Sequence, residues 1–237
     1  MIPIVTWTHT SCSDIWPIYF GQMEKFYNSK HYVFVNRHSD KIANKYIQVI
    51  NNEDDYFYKR MLSCLEKVEE KYIILSLEDF LLYSNPDLKE ITRAHEFMID
   101  NNGTCMRLVK SGCLAGSPVE DQIFSIPPYD QYLISWQPSI WNVDNLKKLI
   151  KYFRPRTFGC FEKHGSGTMA SLNYTSFYYY NNSRKRGKIH FDSDIYPYAQ
   201  AVREGKWCID EWPIILPRML KEYSINTSKR GSYKNEK

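Results

Sequence analysis

Nowhere in the 237 residues does an apolar run approach the roughly 18 consecutive positions that mark a bilayer-crossing helix. The N-terminus, MIPIVTWTHTSCSDIW, also has no basic region leading into an apolar segment. A soluble, unexported, cytoplasmic protein with no integral membrane segment is therefore expected. No C-x-x-C pair occurs among the six cysteines, Cys12, Cys64, Cys105, Cys113, Cys160 and Cys208, so neither a zinc ribbon nor a disulfide framework is indicated. Buried thiols are the expectation. Charge of one sign is scarce as well: a net charge of +4 with 24% charged residues leaves no broad field to draw nucleic acid or an anionic membrane. Any anionic partner must be held locally.

What is abundant is apolar and aromatic. An apolar content of 43% in a chain of this length suits one large α/β domain, or one with a small annex. The 19 Tyr, 12 Phe and 6 Trp exceed the usual demands of packing, and flat rings with a polar tip suit sugars, bases or protein partners. Along the chain, Ile2 to Trp7 and Tyr32 to Asn36 read as strands, with a helical pattern from about Ile15 to Phe26 between them. Asp54 and Asp55 are expected to open a helix carrying Phe57, Met61, Leu62, Leu65 and Val68 at helical spacing. A strand YIILSL follows. Asn85-Pro86 then begins a helix with Pro at its first position, closed by Asn101-Asn102-Gly103. Alternation of strand and helix predicts a parallel, doubly wound sheet.

The sequence KYIILSLEDFLL, residues 71 to 82, bears most directly on function. A strand buried on both faces reads as an unbroken apolar run, and in such sheets ligands bind beyond the carboxyl ends of the strands. Glu78 and Asp79 fall at one such end, and the apolar FLLY after them re-enters the interior. The acids are therefore pinned at a strand tip. Capping a helix or pairing with a lysine is the competing role for two acids in a loop.

A hydrophobic strand ending in a short acidic motif, after a βαβ start and a helix, resembles the nucleotide-sugar domain of GT-A-fold glycosyltransferases, of the small bacterial or viral type. The likeness covers roughly residues 1 to 220. It implies a Rossmann-like, mixed but mostly parallel sheet flanked by helices, within a single domain of residues 1–225. Residues 1–110 would form the nucleotide-sugar half and residues 111–225 an α+β acceptor half, followed by a flexible basic tail at 226–237. In that family the motif, D-x-D or a variant, holds a divalent cation on the donor diphosphate. Here Asp79 matches the ligand and Phe80 stands where a further acid is usual. Mn²⁺ or Mg²⁺ on Asp79 is thus one implied device; cationic side chains on the leaving group are the other. The implied partners are a nucleotide-diphosphate sugar and a glycan or other hydroxyl acceptor, in polysaccharide or glycan biosynthesis.

The rest of the chain supplies residues for both substrates. SWQPSIWNVDNLKKLIKYF places Gln137 and Trp141 ahead of a helix capped by Asn142, and the resemblance puts this segment, with Phe161-Glu162 and His164, on the acceptor side. Gly159, Gly165 and Gly167 would let backbone approach a ligand. Core packing competes for Gln137 and Trp141, and a surface pair with Lys163 for Glu162. Glycosyl transfer builds positive charge on the anomeric carbon and negative charge on the departing phosphate. Glu162 is the expected base for the attacking hydroxyl. Arg107 and Lys110 would stabilise the leaving group beside Glu78 and Asp79, with Lys206 of REGKW near the phosphates. Asp14 is expected at the base or ribose, with Trp16 as a stacking wall.

Other readings compete. HFDSD, with Asp192 and Asp194, is a literal D-x-D, although the alternation after it suggests a hairpin or exposed strand. His164 or His190 could complete either acid site. RKRGK, residues 184 to 188, could grip a phosphate or RNA, against the plainer role of a solvated loop. A non-catalytic carbohydrate or nucleotide-binding module on the same fold is the main alternative to an enzyme.

Overall fold

The computed structural model describes residues 1–110, 116–130, 133–186 and 190–233. The chain begins β1 (Ile4–Trp7), α1 (Trp16–Phe26), β2 (His31–Val35), β3 (Ile47–Ile50), α2 (Phe57–Leu65), β4 (Tyr72–Leu77). Here β-branched runs give strands and amphipathic spacing gives helices. α1 carries Pro17 in its first turn, where the missing N–H is harmless. α2 begins later than Asp54 suggests. Its first-turn donors, the N–H groups of Phe57 and Tyr58, bond the carbonyls of Arg156 and Pro155, so a distant loop caps the helix where a local acid was expected.

A sharp turn after β4 gives β5 (Phe80–Leu82), then α3 (Leu88–Asp100), β6 (Cys105–Arg107), β7 (Ser117–Glu120), β8 (Ile123–Ser125) and β9 (Ser139–Asn142). Pro86 is not the first residue of α3: Asp87 caps it, accepting from the N–H groups of Lys89 and Glu90. Next come α4 (Val143–Phe153), α5 (Phe158–Ser171), β10 (Ser176–Tyr179), β11 (Lys185–Arg186) and β12 (His190–Phe191). Asn142 caps α4 as its sequence indicates, accepting from the N–H of Asn145. The chain closes with β13 (Tyr198–Gln200), β14 (Val202–Arg203), β15 (Lys206–Trp207) and α6 (Ile215–Glu222). Glu204 and Gly205, at φ 50° and 77°, make the two-residue turn between β14 and β15.

The main sheet has nine strands in the order β3-β2-β1-β4-β9-β6-β10-β8-β7. β3, β2, β1 and β4 run parallel, and of the sheet's strands only β9 and β8 oppose the rest. The fold is thus a mixed, mostly parallel α/β sheet with helices on both faces. One core gathers α1, α3 and α6 around Trp16, Phe97 and Leu216; the other gathers α2, α4 and α5 around Met61, Leu146 and Phe161. Beside the main sheet, β5 pairs antiparallel with β13, bringing residues 198–200 against the turn that follows β4. Among the described residues no helix is long and apolar enough to cross a membrane.

Two expectations need correction. Gly159, Gly165 and Gly167, expected to let backbone approach a ligand, lie on the helix of residues 158–171. Phe161 and Met169 bury one face, and a Cβ on Gly165 would strike Ile134 at 2.3 Å. Gly165 therefore serves helix packing. The segment 226–233 is also not a free tail: Trp207 donates its N–H to the Gly231 carbonyl at 3.0 Å, and Tyr233 donates to the Trp207 carbonyl at 2.8 Å. Residues 234–237 lie outside the described residues.

Candidate functional site

The carboxyl ends of the parallel strands are stitched into one rim. The Asn36 side chain, after β2, accepts from the Thr10 N–H at 2.8 Å and donates to its hydroxyl at 3.0 Å. His9, after β1, meets Glu53, after β3, at 2.6 Å. Beneath them Thr6 joins Tyr19 and His31 in a buried network, each link 2.6 Å, and burial pushes the His31 imidazole down to about 3, so it stays neutral. The rim thus rests on a rigid, uncharged floor.

Glu78 and Asp79 occupy the turn between β4 and β5 at this rim. Both keep a strip of exposed surface, yet Asp79 Oδ1 is fully enclosed and receives no hydrogen bond. Burial, then the charge of Glu78, pushes the Asp79 carboxyl up to about 8, against a lowering bond from Gln200 and the field of Arg230. Glu78 is likewise raised by burial, against bonds from the Cys12 thiol and the Thr8 hydroxyl. Burial and the nearby Glu78 push Cys12 itself up to about 12, so the thiol stays protonated and donates. Two adjacent acids in one half-dry turn cannot both ionise freely.

Arg230 comes to this cluster from the far end of the chain. Its guanidinium donates to both Asp14 oxygens at 2.6 Å, the fork-to-fork geometry of a strong pair. It also donates to the Gly205 carbonyl at 3.4 Å and lies 5.8 Å from the Trp207 ring. Burial tends to raise Asp14, but the Arg230 bonds outweigh it and hold its carboxyl below the usual range.

A second polar group lies across the seam. Arg107, at the carboxyl end of β6, is completely buried, with Asp130 and Glu162 as its acidic neighbours and Tyr198 close by. Glu162 is fixed on α5, where its Oε1 accepts from the Trp136 N–H at 3.0 Å. The Tyr198 hydroxyl bonds Gln137, and Tyr198 also feels Asp79. One tyrosine therefore links the acid turn to Gln137.

The predicted residues separate accordingly. Asp14, Glu78 and Asp79 gather on one side; Gln137, Glu162 and Arg107 gather on the other. Trp16 is corrected from stacking wall to core, because it is 1% exposed with its N–H given to Thr8 at 2.9 Å. Trp141, also 1% exposed, is a core residue of β9 paired with Ile73 and Cys105. Lys110 sits among the Tyr180, Phe191 and Tyr178 rings, 4.4 to 6.0 Å from their centres, a cation held by π-faces. Lys206 is exposed on β15. His164, exposed on α5, lines a cavity of about 560 Å³ with Tyr129, Asp130 and Lys163. In the alternative D-x-D, Asp192 pairs with Arg186 while Asp194 is exposed. The side chain of His190 and residues 187 and 188 of the basic turn lie outside the description. Sequence reading missed Arg230, Gln200, Tyr198 and Cys12; the SKRG run was the one visible signal for Arg230.

Two carboxylates with one unbonded enclosed oxygen suit a hard divalent cation. No three His, Cys, Asp or Glu side chains form a ready-made cage among the described residues, so phosphate oxygens and water would have to complete the shell.

No family model and no curated protein matches the sequence. Several solved structures align with this chain at low identity. A cytidylyltransferase from Leptospira borgpetersenii serovar Hardjo-bovis aligns at TM-score 0.51 and 10% identity, over 96% of this chain and 97% of that one. TarS 1-349 from S. aureus in complex with UDP aligns at 0.48 and 12%, over 96% and 67%. The bifunctional IspDF from Campylobacter jejuni aligns at 0.46 and 13%, over 78% of this chain, which spans 52% of that protein. At these identities the likeness is one of architecture.

Proposed function

We propose that this protein transfers a glycosyl group from a nucleoside-diphosphate sugar to a hydroxyl acceptor, in glycan or polysaccharide assembly. The observation that carries the reading is Asp79, delivered by a buried strand to the rim of the parallel half with Oδ1 enclosed and unbonded. The stitched loops after β1, β2 and β3 are the place for the nucleoside, as in other open α/β sheets. Asp79 and Glu78 would hold a divalent cation, which when bound neutralises charge on the diphosphate. Glu162, oriented by the Trp136 N–H, takes the proton of the attacking hydroxyl. Arg107 places a buried positive charge near that carboxylate. Gln137 and Tyr198 tie the two sides into one rigid seam.

A thermal-shift screen of nucleotides and nucleotide sugars, with and without Mn²⁺ or Mg²⁺, tests the reading. One diphosphate ligand of the uridine, cytidine, guanosine or thymidine series raises the midpoint, and Asp79→Ala abolishes the shift. The same variant lowers transfer by about 10²- to 10³-fold, the usual effect of losing one preorganised electrostatic partner. No shift with any of these ligands overturns the donor assignment. The full-length match to a cytidylyltransferase favours a second reading, nucleotidyl transfer. Release of pyrophosphate from CTP or UTP in place of nucleoside diphosphate from a nucleotide sugar distinguishes it.

A further inference from the structure

The net charge of the chain is small, but it is gathered in one place. Residues 143–171, which carry α4 and α5, hold six Lys and Arg against two acids, Asp144 and Glu162, and that surplus of four equals the net +4 of the whole chain. Everything else cancels. Among the described residues Lys147, Lys148, Lys151, Arg154, Arg156 and Lys163 make no ion pair with a carboxylate, whereas in the opposite layer Lys25 of α1 and Arg93 of α3 are paired with Glu222 and Glu90. α4 packs Leu146, Leu149 and Ile150 into the core, so Lys147, Lys148 and Lys151 share its outward side. Arg154 and Arg156 follow at the end of the helix, where the Pro155 and Arg156 carbonyls cap α2 just beyond the carboxyl end of β3. The basic face therefore reaches the rim. Two rings stand out of it: Tyr152 is 68% exposed, and Tyr56, 52% exposed, has its ring centre 5.4 Å from the Arg156 guanidinium.

We propose that this outer face of α4 and α5 docks the protein peripherally on a membrane surface rich in anionic lipid. Unpaired cations on the outside of packed helices add nothing to the core, and each one brought close to an anionic leaflet gains an attraction that accumulates along the face. Tyrosine suits the same place, because its ring sits at headgroup level while its hydroxyl stays wet. The apolar stripe of α4 is already in the core, so the contact is electrostatic and shallow. A nucleic acid is the other polyanion to weigh. It calls for rings free to stack on bases along a cationic groove, but Tyr56 already stacks on Tyr58, 6.2 Å between ring centres, with Arg156 on its face. The cations spread over two helix exteriors, which fits a flat partner better than a threaded one. Docking in this way brings the rim to the lipid surface.

Co-sedimentation of the full chain with vesicles tests the proposal, using phosphatidylcholine alone or with about one-third phosphatidylglycerol. At low salt the parent is expected to pellet with the anionic vesicles, to stay in solution with the neutral ones, and to be released as salt rises. Lys148→Gln combined with Lys151→Gln is expected to weaken partition about tenfold or more, the attraction of two cations near a charged leaflet. Lys89→Gln combined with Lys221→Gln, the same loss of charge on α3 and α6 of the opposite layer, is expected to stay within about twofold of the parent. These lysines are exposed, so both double variants are expected to keep the parent's thermal midpoint. Failure of the parent to bind anionic vesicles, equal binding to neutral vesicles, or an equal loss in the two double variants overturns the proposal. Tighter binding to poly(U) than to anionic vesicles, weakened by the α4 substitutions, also overturns it and assigns the face to RNA. No arm contains a nucleotide sugar, so vesicle binding without any nucleotide-induced rise in midpoint keeps the docking face and removes the donor reading, and the opposite pair of results does the reverse.

Discussion

The two sides of the seam manage charge in opposite ways. On the β4 side, Glu78 and Asp79 share burial, the charge of Glu78 helps hold the proton on Asp79, and Arg230 is a neighbour already committed to Asp14. On the β6 side, Arg107 lies fully buried with Asp130 and Glu162 around it, so opposite charges meet. One side gathers its acids with an arginine that bonds only Asp14 among them; the other sets a single buried arginine among two acids. A site that must bind and release a charged ligand needs the first condition, whereas a site that must hold one carboxylate in one orientation needs the second.

Arg107 is where the contrast between the two sides has its largest expected effect. Arg107→Met removes the positive member of a buried charge group and leaves its acids uncompensated. Urea denaturation is expected to show a loss of about 3 to 5 kcal/mol. A loss near zero would mean that the β6 side is no more balanced than the β4 side. The next test uses pH. Asp79 titrates near 8 in the folded chain and near 4 when unfolded, so its contribution to stability is complete below about pH 4 and is lost as pH rises toward 8. The thermal midpoint of the parent should fall across that window relative to Asp79→Asn, and Mn²⁺ should restore part of the difference. Parallel profiles for the two proteins would remove the charge frustration from the β4 side. The smallest effect is expected where the sides meet: Tyr198→Phe deletes the hydroxyl bond to Gln137 and should lower stability by about 1 kcal/mol in the same denaturation assay. A much larger loss would show the halves to be one cooperative network.

What the sequence revealed follows from how local each signal is. The strand YIILSL and its acid tip were legible because a strand covered on both faces has no polar alternation to hide it. The α4 cap was legible because Asn142 and its N–H partner lie three residues apart. The start of α2 was not, since its donors are satisfied by carbonyls a hundred residues onward. Trp16 and Trp141 show why an aromatic side chain says little alone: the same ring can wall a pocket or fill a core, and only the packed neighbours decide. Gly165 was not legible as a packing glycine because its contact is with the distant Ile134, and helix formation there comes from tertiary burial of Phe161 and Met169, which overrides weak local propensity. Arg230 could not be assigned a partner because nothing in a basic SKRG run points 216 positions back to Asp14.

That last pair also orders the molecule in time. During translation the loop after the first strand emerges early, carrying an aspartate whose guanidinium partner is added 216 residues later. Domains assemble as the chain is made, so the early loop waits, solvated and unmatched, until Arg230 has been added. A chain stalled before Arg230 would have its sheet but not its closed corner.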